Sequence, residues 1–170
     1  MKFIKIKDET LLLCLRNMGA PLGTSIRNIR DESNVLTPEE VLVASLFLAR
    51  RNPVVARAFP IVIARNRACF DNFEFIRNLA QQAGELGTLG FFLELTAELT
   101  GSDYFASLAE QLSEHRGDTV RNFFVPVRKS KYARQLDELN TPDVARKWNF
   151  RMNMNKDSFS SLFNKFGISL

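Results

Sequence analysis

The chain is poor in the residues from which most active sites are built. It carries one histidine, one tryptophan and two cysteines in 170 residues. Cys14 and Cys69 form no CxxC pair and have no neighbouring histidine, so the sequence offers neither a disulfide framework nor a zinc site. Both read as small buried thiols of a reducing compartment. His115 stands among Glu114, Arg116, Gly117 and Asp118, the composition of a solvated helix end. That leaves no Ser/His/Asp or Cys/His arrangement for nucleophilic catalysis.

Long apolar runs are also missing. The longest, Val41 to Ala49, covers nine residues and includes Ser45, against the roughly 20 needed to cross a bilayer. No membrane span is expected. Residues 1 to 7 alternate apolar side chains with lysine and lack the apolar stretch of a secretory signal, which makes the cytoplasm the expected location.

Phosphate-binding loops are absent in recognisable form. Gly84, Gly87 and Gly90 spell G-x-x-G-x-x-G, which is neither the dinucleotide fingerprint nor the P-loop, and they read as helix breaks. The stretch from Gly19 to Ser25 lacks the Lys-Ser/Thr ending. Glu94 and Glu98, four apart, read as an ordinary solvated pair opposite an apolar stripe and not as a general acid and base. No cofactor, no metal and no enzymatic activity are expected from this inventory.

What the chain does have is segregated charge. Residues 1 to 70 hold 11 Lys/Arg and 6 Asp/Glu, residues 71 to 118 hold 2 and 9, and residues 119 to 170 hold 10 and 4. Two basic blocks flanking an acidic one either fold onto it or present a positive face to an anionic partner. Arg50, Arg51, Arg57, Arg65, Arg67, Arg128, Lys129, Lys131 and Arg134 are the candidate anionic-partner surface.

The apolar residues fall at helical spacing nearly throughout. Thr37-Pro38-Glu39-Glu40 is a capping box with proline at the first helical position, and it predicts a helix from Pro38 to Arg51, apolar nearly all round and thus the expected centre of the core. Asn52-Pro53 repeats the same start, and Pro60 is expected to kink or divide the segment near Phe59. Val54, Val55 and Ala56 begin that segment apolar, against a DNA-reading helix. Helices with acidic outer faces are expected at Asp71 to Ala83, Leu89 to Leu99 and Asp103 to Glu114. Further helices are expected at Asp8 to Met18, through Leu139, and around Trp148. The last, opened by Asp157 or Ser158, places Phe159, Leu162, Phe163 and Phe166 at i, i+3, i+4 and i+7. This stripe serves either the core or a partner-docking helix.

The fold expected is all-α: a single compact domain over residues 1–170 with about seven helices and at most a short strand pair near Phe3 to Ile6 and Phe123 to Val127. Residues 150–170 are expected to hold a semi-independent amphipathic C-terminal helix. The function expected is that of a non-enzymatic cytoplasmic interaction or assembly module, bound to another protein or to copies of itself. The alternative is a nucleic-acid-binding or regulatory protein whose basic blocks contact phosphates.

Overall fold

A computed structural model describes residues 6–23, 36–124 and 130–166. Nine α-helices account for most of these residues: α1 (Asp8–Asn17), α2 (Pro38–Arg51), α3 (Pro53–Arg65), α4 (Phe73–Ala83), α5 (Leu86–Thr100), α6 (Asp103–Glu110), α7 (Lys131–Asn140), α8 (Asp143–Lys147) and α9 (Lys156–Phe166). Two short strands, β1 (Arg121–Asn122) and β2 (Phe150–Arg151), pair in parallel, Arg121 opposite Phe150. The architecture is therefore helical with a minor two-stranded element, in one body. Of the strand pair expected near Phe3–Ile6 and Phe123–Val127, residues 3–5 and 125–127 lie outside the described residues; the strand pair seen among the described residues is β1 with β2.

Local chemistry explains the helix boundaries. At α2 the Thr37 hydroxyl accepts from the Glu40 N–H at 3.3 Å while the Glu40 carboxylate accepts from the Thr37 N–H at 2.9 Å, closing the capping box. Asn52 caps α3 through the N–H groups of Val54 and Val55. Gly84 and Gly101 end α4 and α5 at φ of 70° and 69°, where a side chain would be strained. Pro60 removes one backbone donor but does not divide α3, which runs unbroken to Arg65. Burial explains this: residues 58 to 64 are all buried, and packing holds the turn that the missing hydrogen bond weakens.

The centre of the core is α5, not α2. Eleven of the fifteen residues of α5 are buried, against seven of fourteen in α2, and α5 packs against α2, α3, α4, α6 and α8. Phe91 and Phe92 meet Phe59, Phe123 and Phe150 with ring centroids 4.8–6.1 Å apart, mostly edge to face. Gly87 and Gly90 are not breaks but lie within α5. Their missing side chains admit neighbours: a Cβ on Gly90 would sit 2.1 Å from Cη2 of the fully buried Trp148.

The acidic face expected for α5 is used internally. Glu94 accepts from the Trp148 indole N–H at 2.7 Å and also from Lys147, and Glu98 meets Lys156 at 2.7 Å. With Arg50–Glu85 at 2.8 Å, these contacts join both basic blocks to the acidic one. The charge segregation thus serves, in part, to fold the chain onto itself. No helix among the described residues is long and apolar enough to cross a membrane.

Candidate functional site

Several of the basic residues singled out in the sequence have partners within the fold. Arg50 is committed to Glu85. Arg51 meets Asp8 at 3.2 Å and covers the Phe47 ring at 4.3 Å. Arg65 donates to the carbonyls of Gly19 and Phe166, each at 2.6 Å. Arg67 lies 4.4 Å over the ring of Tyr104, and Arg57 is half-buried, its Nε making no hydrogen bond. Lys131 and Arg134 are exposed in the first turns of α7. Arg128 and Lys129 lie outside the described residues.

The aromatic stripe of α9 turns inward. Phe159 is fully buried in the main core, and Phe163 packs with Ile61 and Ala64 of α3. Leu162 is partly buried, and Phe166 is left at the exposed edge. The spacing that suits a docking helix is spent here on attaching α9 to α3.

Two concavities flank the corner where α4 turns into α5. The first is a cleft of about 500 Å³ between α1, α2 and the end of α4. Leu11, Val43, Ala44, Leu48 and Ala83 give it apolar walls, and Phe47, 51% exposed, stands at its edge. Asp8 and Arg51 provide one acid and one base beside it. Phe47 was not legible as exposed, because α2 is apolar around nearly its whole circumference. A faint signal exists in hindsight: Phe47 and Arg51 are four apart, the spacing at which a guanidinium covers a ring.

The second concavity, of about 460 Å³, lies between the first turn of α5, the His115 turn and β1. Leu86, Gly87, His115, Thr119 and Arg121 line it, with Glu114 at its rim. Glu85, 4% exposed, stands between the two concavities; one carboxylate oxygen receives Arg50 at 2.8 Å and the other receives the Thr88 hydroxyl at 2.5 Å. The Arg121 guanidinium stacks on Phe150 at 4.6 Å. Burial pushes its pKa below the ordinary arginine value, the nearby Arg50 adds to the effect, and Glu85 opposes it. Its backbone is set by the strand pair, through Arg121 N–H to Asn149 O at 2.8 Å and Phe123 N–H to Arg151 O at 2.9 Å. Neither Glu85 nor Arg121 was singled out from the sequence, since each is an isolated charge between unremarkable neighbours.

No family model, curated protein or solved structure matches this chain. Function must be argued from these concavities and their chemistry.

Proposed function

We propose that the protein is a non-enzymatic assembly module that pairs with a second copy of itself through the α1–α2 face. The observation that carries this reading is a half-exposed phenylalanine, Phe47, standing at the edge of an apolar cleft of about 500 Å³ on the same face. A two-fold interface requires one patch to complement itself. Here the patch holds both the protruding ring and the concavity, and both an acid, Asp8, and a base, Arg51. In the proposed two-fold pair each ring would enter the other copy's cleft, and the rim charges would exchange partners. Aromatic side chains seated in dry clefts dominate interface energetics.

The intramolecular use of Arg50, Arg51, Arg65 and Arg67 favours this reading over contact with nucleic acid, because those side chains already have partners. Sedimentation velocity over a wide concentration range tests it. Wild-type chain is expected to show a reversible monomer–dimer equilibrium. Phe47→Glu is expected to weaken it by about 1,000-fold, since a two-fold pair loses two hot spots of about 2 kcal/mol each. Val54→Glu, equally exposed but on α3 and outside the cleft, leaves it unchanged. A wild-type chain that stays monomeric throughout, or a Phe47→Glu chain that dimerises normally, overturns the proposal.

A further inference from the structure

The second concavity holds a cation that makes no direct ion pair with a described residue. Arg50 has Glu85 at 2.8 Å, Arg116 has Glu110 at 3.3 Å, and Arg77 stands 3.6 Å from Glu114. Arg121 is half-buried yet has no hydrogen bond or ion pair from its guanidinium to any described residue. Glu85 is near enough to favour its charge without touching it, so the guanidinium donors stay free for an anion that enters the concavity. The site is also shaped around it: a Cβ on Gly87 would fall 2.4 Å from Arg121 Nη2, so a glycine here lets the guanidinium lie against the first turn of α5.

We propose that this concavity binds a phosphate monoester, with Arg121 holding the phosphate. The guanidinium fork matches two phosphate oxygens. Thr119 adds a hydroxyl, while the His115 Nε2 is buried 3.3 Å from Glu114 Oε1 and faces away from a ligand in the open concavity. The amide groups of Leu86 and Gly87 border the same space and have no acceptor among the described residues. Glu114 is the one carboxylate at the rim, and its charge is shared with Arg77. A volume of about 460 Å³ far exceeds one phosphate ion, which leaves room beside Leu86 for the group esterified to it. This site lies across the Arg50–Glu85 pair from the α1–α2 cleft and does not depend on self-association.

Isothermal titration with inorganic phosphate and with glycerol phosphate, at constant ionic strength and with chloride as reference, tests the proposal. Saturable binding of both to the wild-type chain is expected, with the ester at least as tight. Arg121→Gln should weaken it tenfold or more with an unchanged far-ultraviolet circular dichroism spectrum. Thr119→Ala, at an exposed position that cannot disturb the core, should weaken it several-fold. Absence of saturable phosphate binding to the wild type overturns the site, as does unchanged binding in both variants. Binding of free phosphate but not of the ester overturns the ligand class.

Discussion

Substituting Gly90 by alanine sets two effects of opposite sign against each other. On propensity alone, Gly→Ala inside a helix stabilises by about 0.5–1 kcal/mol. The added Cβ would lie 2.1, 2.3 and 2.7 Å from Cη2, Cζ3 and Cζ2 of Trp148. Ordinary carbon contacts are about 3.5–4.0 Å, so the indole must retreat by about 1.5 Å. It has little freedom to do so, being fully buried with its N–H held 2.7 Å from Glu94 Oε2. Overpacking costs about 1–3 kcal/mol, and losing a hydrogen bond to a charged acceptor costs about 1.5–3 kcal/mol. The net expectation is a loss of about 2–4 kcal/mol. Urea unfolding followed by far-ultraviolet circular dichroism measures it. The decisive comparison is the same substitution in a Trp148→Phe background, where the outer six-membered ring is gone. There Gly90→Ala should be close to neutral or stabilising. If Gly90→Ala stabilises the wild-type chain, or costs the same in both backgrounds, the contact with Trp148 is not what governs this position.

Two further outcomes follow from other parts of the fold. Glu85→Ala should cost about 2–3 kcal/mol in urea unfolding, below the full cost of breaking a buried pair because Arg50 keeps some access to water; a cost under about 0.5 kcal/mol would show that the pair contributes nothing. Burial, assisted by Glu39 and more weakly by Asp71, pushes the Cys69 thiol up, so its protonated form is favoured in the folded state. The stabilisation is complete below the ordinary thiol pKa of about 9 and is lost as pH rises through the folded value. Wild-type stability should therefore fall more steeply than that of Cys69→Ser above pH 9, and identical slopes would refute it.

Helix starts were the most legible feature of the chain, because Thr37-Pro38-Glu39-Glu40 and Asn52-Pro53 encode their geometry within a few residues. The all-α class followed from apolar spacing for the same reason. What spacing does not reveal is which helix the others surround. Helix α5 was read as half solvated on account of Glu94 and Glu98, whose partners Lys147, Trp148 and Lys156 lie more than fifty residues away. Likewise Gly87 and Gly90 resemble turn residues locally, and only tertiary contact shows that they admit Arg121 and Trp148. The candidate sites were less legible still. The arginines stand out in the sequence through their number, whereas Arg121 is an isolated charge whose place in a concavity beside the first turn of α5 only the fold creates.

Trp148 is the only indole in the chain, and it sits at the seam where α8 meets α5, between the Gly90 gap and the Glu94 carboxylate. Its emission therefore senses that seam and not the helical bundle as a whole. Should residues 141–154 peel away while α2 to α5 stay packed, fluorescence would register a transition that circular dichroism barely records. A gap between the two unfolding curves would then be a direct reading of how far the seam opens before the bundle does.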